Sequence, residues 1–288
     1  MEEQPGALVW RDVERRFRRA APHFGKADFV HRHAAAGLLD RLSPVQIDAA
    51  RVIDLGSAVG RDRNALQKRF RKALVVGIAR SAAMLAEARR ARPWISRASD
   101  VRAAAERLPV ADGSIDLVYA NMLLPWIDDH AAVFGEISRV LRKGGLFAFS
   151  TLGPDSLNEL RSAWAGEDDA VHVRRFPDMH DVGDNLVRSG LRDPVLDVDS
   201  LRLEYRDADR LFRDIVSVAA GNSLRARRRS LTGKATFERV VGRLTGGGAS
   251  QPMTVTLELV YGHAWGGGPP GKAGEFLVEP RAIGRRRR

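Results

Sequence analysis

Asp54, Gly56, Ala58 and Gly60 stand at alternate positions where the apolar run Val52-Ile53-Asp54-Leu55 gives way to small residues. That spacing suits one kind of chemistry. A buried strand that breaks into a small-residue turn and then a helix brings backbone N–H groups and a helix N-terminus against a ligand, and doubly wound α/β domains hold a nucleoside there. Two positions depart from the usual requirements. The middle of three expected glycines is Ala58, and the next strand, expected over 74–78, runs into Ala79 where an acid accepting from both ribose hydroxyls is expected.

Other chemistries find less support. The chain has no cysteine, which removes disulfides, thiolate zinc sites and thiol nucleophiles. His23, His31 and His33 lack carboxylates at ligand spacing, so no metal site is expected. His263 beside Trp265 reads as a packed, satisfied histidine.

The elements that must position the loop follow from periodicity. Trp10, Val13, Phe17 and Ala20 recur at helical spacing and predict an amphipathic helix ended by Pro22, followed by a second helix over 27–42. From Arg51 strand and helix patterns alternate: strands over 51–55, 74–78, 95–101 (weak), 114–120 and 145–151, with helices between them up to about 71, over 82–91 and over 129–141. Repeated βα units predict a parallel sheet with right-handed crossovers. The rhythm then changes. Helices are expected over 156–164 and 172–190, strands over 194–198, 201–205 and 254–261, and an arginine-rich helical stretch up to Val241 broken at Gly221-Asn222; glycine runs at 246–248 and 266–271 read as loops.

A chain of 288 residues with 44% apolar content buries one large α/β core with elaborations. No apolar run approaches the ~20 residues of a membrane span, and Met1 to Pro5 carries no apolar signal core, so a soluble cytoplasmic protein is expected. The net charge of +11 is concentrated at Arg15, Arg16, Arg18 and Arg19, at Arg225 with Arg227 to Arg229, and at Arg285 to Arg288. Such clusters favour acidic partners. No helix-turn-helix, zinc or aromatic RNA-binding signature accompanies them, so nucleic acid is not expected as the main partner, and an acidic carrier protein fits the clusters equally well.

The loop, together with Ser81, Leu108-Pro109-x-Ala111-Asp112-Gly113-Ser114-x-Asp116-Leu117-Val118 and Leu141-Arg142-Lys143-Gly144-Gly145, resembles the class I S-adenosylmethionine methyltransferases. Downstream strings narrow this. Phe149-Ser150-Thr151-Leu152-Gly153-Pro154-Asp155-Ser156-Leu157 with Glu159-Leu160-Arg161, Met179-His180-Asp181-Val182-Gly183-Asp184, Ser230-Leu231-Thr232-Gly233-Lys234 and Tyr261-Gly262-His263-Ala264-Trp265 are similar to the malonyl-acyl-carrier-protein O-methyltransferases of biotin synthesis.

That resemblance implies a Rossmann-like α/β fold: a seven-stranded, mostly parallel sheet with helices on both faces and an α-rich substrate lobe. It divides the chain into a helical cap (1–45), a cofactor-binding core (46–152), substrate-side helices and last strands (153–265) and a Gly/Arg-rich tail (266–288). It implies methyl transfer from S-adenosylmethionine to the free carboxyl of malonyl-acyl carrier protein, or of malonyl-CoA. Asp54, Gly56 and Gly60 match the cofactor loop, and Asn121 the position after the fourth strand facing the transferable methyl group. Ala104 stands where an aspartate reaching the adenine would be, with Asp100 as its replacement only if the loop shifts.

A carboxylate acceptor, with a reference pKa near 4, is already ionised at neutral pH and needs no general base. It needs orienting, which suits the planar donors of an arginine; Arg161 is the first candidate and Arg175 the second, with Arg225 and Arg227 to Arg229 available to meet the carrier. The three alanines keep a second class open: a relative that kept the fold but lost methyl transfer, serving as an assembly factor or arginine hydroxylase, a group resembled through Asp155 to Arg161.

Overall fold

The computed structural model describes residues 6–92, 98–246 and 252–267. Two helices, α1 (Trp10–Ala27) and α2 (Phe29–Leu42), precede β1 (Arg51–Leu55), α3 (Arg61–Arg69), β2 (Leu74–Ala79), α4 (Ala82–Arg90) and β3 (Ser99–Arg102). β4 (Ile115–Asn121), a 3-10 turn (Leu124–Trp126), α5 (His130–Val140) and β5 (Leu141–Leu152) follow. The chain continues through α6 (Asn158–Trp164), α7 (Met179–Arg188), β6 (Leu191–Tyr205), α8 (Ala208–Ser217), α9 (Lys234–Leu244) and β7 (Met253–Gly266).

The strands form one seven-stranded sheet in the order β3-β2-β1-β4-β5-β7-β6. β1 to β5 pair in parallel, while β7 inserts antiparallel between β5 and β6. The sequence explains the contrast. β1 and β4 are mostly apolar and buried almost throughout because both faces of a parallel sheet are covered, whereas β6 alternates exposed and partly buried residues as an edge strand does. One face buries Phe134 of α5 and Val182 and Leu186 of α7 against Phe147 and Phe149, whose rings stack at 4.9 Å. The other buries Leu38 and Leu42 of α2 and Leu66 of α3 against Tyr119 and Tyr261. Strand order reverses between β1 and β4, so their following connections diverge and open a crevice at the C-terminal ends of the strands.

Several sequence expectations are corrected. Pro22 does not end α1, which continues to Ala27. The exposed proline removes one helical hydrogen bond, but Phe24 beyond it is buried, and that burial contributes ~1.5–3 kcal/mol, comparable with the proline penalty of ~3 kcal/mol. The third strand is Ser99–Arg102; the expected start at 95 lies outside the described residues. The helix expected over 172–190 shrinks to α7, and the two strands expected over 194–205 are one strand that begins at Leu191 and absorbs a bulge at Asp193, φ +48°. The arginine-rich stretch is helical only at its ends, in α8 and α9, with 218–233 looping between them. The loop expected at 246–248, most of that at 266–271 and the terminal arginines fall largely or wholly outside the described residues. No described helix is long and apolar enough to cross a membrane.

Candidate active site

At the reversal point the loop after β1 turns through three residues in the left-handed region, Gly56 (φ +81°), Ala58 (φ +42°) and Gly60 (φ +75°). This explains why glycine is expected at all three. A side chain on Gly56 would also crowd Leu123 at 3.1 Å, so a substitution there is strained by the backbone and tight against its neighbour. Backbone hydrogen bonds from Gly56 and Ser57 to the Ile78 carbonyl, at 2.7 and 3.2 Å, lash the loop to β2.

The loop floors a cleft of about 1020 Å³, counting its open mouth. Ala58, Ala79, Ala103 and Ala105 line it, so the small residues leave this volume open. α1 closes over it: Phe17 packs on Trp126 with ring centroids 4.8 Å apart, Phe24 lies edge-on to His31 at 5.0 Å, and Arg80 covers Trp10 at 3.9 Å. The cap is fastened by the 218–233 loop. Val9 N–H donates to the Ser223 carbonyl and Arg225 N–H to that of Ala7, both at 2.8 Å, Arg16 reaches the Asn222 carbonyl, and Asp12 forms an ion pair with Arg227.

Of the sequence candidates, Gly56 and Asn121 line the cleft, while Asp54 and Gly60 lie behind it. Asn121 is a clamp with every polar atom engaged. Its Nδ2 donates to Asp62 Oδ2 at 2.8 Å and to the His31 carbonyl at 3.0 Å, and its Oδ1 accepts from Ser150 Oγ at 2.6 Å. Asp54 is buried with Oδ2 unpartnered; burial first, then the Asp62 charge, push its carboxyl well above the ordinary range. Asp62, in the first turn of α3, is raised to about 6 by burial, opposed by the Asn121 hydrogen bond, and it lines the cleft. An acid held at cost on the wall of an open cleft suits a cationic ligand. The α-ammonium and sulfonium of S-adenosylmethionine fit that demand.

The adenine end differs from the sequence expectation. Asp100 does not move toward the cleft: its side chain is fully buried in an ion pair with Arg63, and Arg92 stands 3.9 Å away. Ala104 is turned into a bridge with Arg107, and Glu106 lines the cleft instead.

A second, larger cavity of about 1660 Å³ lies between β6 and β7 and the helices α6 and α8. It shares His31, Met122 and Trp126 with the cleft, so the two volumes meet at these residues. Met122 has φ +55°, a strained turn fixed by hydrogen bonds from its N–H to Ser150, and such strain concentrates at functional sites. Burial pushes His31 down to about 4, which leaves a neutral imidazole at the junction, its Nδ1 unpartnered.

Neither Arg161 nor Arg175 lines this chamber. Arg161 instead ties a loop together, pairing with Asn158 and donating to the carbonyls of Ser156 and Arg174, and Arg175 is exposed. Arg174 does line it, its guanidinium held by the carbonyls of Pro125 and Ile127 and by Asp128 Oδ1 at 2.9 Å. The basic face expected at 223–234 is also partly committed, because Arg227 binds Asp12 and Arg228 binds Asp168 at 3.0 Å. Sequence reasoning missed Asp62, Glu106 and Arg174. Asp62 follows Gly60 by two residues and Arg174 adjoins Arg175, but only the fold says which of these faces a cavity.

The methyltransferase domain family matches residues 53–149, from β1 to β5. Over most of its length the chain is similar to proteins named malonyl-acyl-carrier-protein O-methyltransferase. It is 39% identical over 284 residues to the one from Halorhodospira halophila, covering 96% of each chain, and 39% identical over 259 residues to that from a Methylovorus strain, covering 88% of each. Among solved structures, the YcgJ protein of Bacillus subtilis matches 83% of this chain and 100% of its own with a TM-score of 0.59 at 15% identity, a likeness of fold.

Proposed function

The chain belongs to the malonyl-acyl-carrier-protein O-methyltransferase family, and from that premise we propose that it methylates the free carboxyl of a malonyl thioester on acyl carrier protein, using S-adenosylmethionine, in the route to biotin. The observation that carries this reading is the meeting of two cavities at His31, Met122 and Trp126, one faced by an unneutralised acid and the other largely apolar. A donor and an acceptor entering from opposite sides are thereby brought end to end.

Bound in the cleft, S-adenosylmethionine supplies an electrophilic methyl group. The chain's own residues do the rest. Gly56 and Gly60 allow the loop its left-handed turns, so backbone lines the ligand side; Asp62 sets a negative potential for a cationic ligand, while Asp54, whose carboxyl burial pushes well above the ordinary range, stays behind the loop. Asn121 fixes Asp62 and the end of β4 relative to α2. The α1 residues Trp10, Phe17 and Phe24 cover the cleft and exclude water. Arg174 is the proposed carboxylate-orienting residue, with Arg161 supporting it through the Arg174 carbonyl. Neutral His31 takes no proton from an acceptor that has none to give.

Incubation with S-adenosylmethionine and malonyl-acyl carrier protein, read by intact-protein mass spectrometry, is expected to show the carrier gain one methyl group that mild ester hydrolysis removes. Absence of that product with a carrier known to be malonylated would refute the proposal.

A further inference from the structure

The end of β2 has no acid, since Ala79 stands there, yet a carboxylate reaches the same corner from another element. Glu14 lies on α1 four residues after Trp10 and three before Phe17, both of which line the cleft; that spacing puts all three on one helix face, with Glu14 itself just behind the lining. Ser81, two residues beyond Ala79, also lines the cleft, and its Oγ donates to Glu14 Oε1 at 3.4 Å. The other oxygen, Oε2, is buried and has no partner. A buried carboxylate oxygen without a donor is unfavourable, and a vicinal diol at this corner supplies donors of the right kind.

We propose that Glu14 is the ribose-binding acid of this chain, delivered by the cap helix in place of the acid missing from β2. The assignment rests on the reading that the cleft takes S-adenosylmethionine. It also gives α1 a binding role beyond covering: the acid rides on the helix that the Asp12–Arg227 ion pair and the Val9 and Arg225 backbone bonds hold shut. Affinity for the nucleoside then depends on the cap being closed.

The test is calorimetric titration with S-adenosylhomocysteine and with its 2′,3′-dideoxyribose analogue, using the wild type, Glu14→Ala, Glu14→Gln, Ala79→Asp and the Glu14→Ala/Ala79→Asp double variant. Thermal melts check that each is folded. Both Glu14 variants are expected to bind S-adenosylhomocysteine about tenfold or more weakly, the worth of one hydrogen bond to a charged acceptor. The analogue is expected to lose affinity for the wild type but little for Glu14→Ala, and Ala79→Asp is expected to restore binding only where Glu14 is absent. Two results overturn the assignment alone: an equal penalty for losing the hydroxyls in wild type and Glu14→Ala, or a large gain from Ala79→Asp while Glu14 is present. A wild type that binds no S-adenosylhomocysteine at millimolar concentration overturns the cofactor reading, and this assignment with it.

Discussion

Acidification from pH 7.5 to pH 5 is expected to weaken S-adenosylhomocysteine binding about tenfold, through Asp62. Its carboxyl is raised to about 6, by burial first and by the nearby Asp28 charge, while the Asn121 hydrogen bond and Arg61 oppose the shift. In the free protein Asp62 is then almost wholly ionised at pH 7.5 and roughly a tenth ionised at pH 5. A ligand ammonium favours the ionised form, so affinity follows that fraction and falls by about ten. Stability of the free protein moves the other way. Because the folded value lies above the ordinary 3.8, Asp62's contribution is fully present below pH 3.8 and is lost as the pH rises through about 6. Calorimetry in two buffers of different ionisation enthalpy measures the binding constant and the protons released on binding, with Asp62→Asn separating this group from Asp54. The variant is expected to bind weakly and with little pH dependence between 5 and 7.5. If the tenfold loss persists in Asp62→Asn, or the wild type shows no loss, the electrostatic account of the cleft is wrong.

Ala58→Gly relieves left-handed strain of ~1–2 kcal/mol but adds ~0.4–1 kcal/mol of unfolded-chain entropy and removes a methyl worth up to ~0.8 kcal/mol that packs near Phe17 and Met84. These terms nearly cancel, so scanning calorimetry should show a melting temperature within about 2 °C of wild type, while S-adenosylhomocysteine binds more tightly; a large drop in melting temperature contradicts the strain. Arg227→Glu sets a like charge against Asp12, whose side chain is 8% exposed, and should cost about 2 kcal/mol or more. Lower stability in urea titration and weaker nucleoside binding are expected together, and either alone would uncouple the latch from the cleft. Arg174→Gln should raise KM for the malonyl thioester about tenfold with S-adenosylhomocysteine affinity unchanged, whereas Arg175→Gln should change neither. The reverse ranking, read from steady-state kinetics, would restore Arg175 as the orienting residue.

The parallel half of the sheet was legible because each of its strands announces itself locally. The 52–55 and 115–120 runs are apolar but for Asp54 and Asp116, and the small-residue turn after Leu55 marks the strand order reversal. The antiparallel half was less so: β6 carries polar residues on most positions and a proline near its start, so one 15-residue strand read as two short ones. Pro22 misled because tertiary burial of Phe24 offsets much of a local penalty. Within the site, Gly56 and Asn121 follow from position in a β–loop–α pattern. Glu14, Asp62 and Arg174 do not, because they are brought in by a helix 67 residues from its Ser81 contact, by burial at a helix start, and by a loop threaded past Pro125 and Asp128. The arginine clusters illustrate the same limit. Charge density marked Arg227 and Arg228 as available to a partner, while the fold has already paired them with Asp12 and Asp168.

The reaction depends on the cleft at the end of β1 accepting an adenosyl sulfonium with Ala58, Ala79 and Ala104 in place. Titration of the wild-type protein with S-adenosylmethionine at neutral pH is predicted to give one site per chain with a dissociation constant in the micromolar range. No saturable heat up to millimolar ligand, from protein whose melt confirms that it is folded, would contradict it.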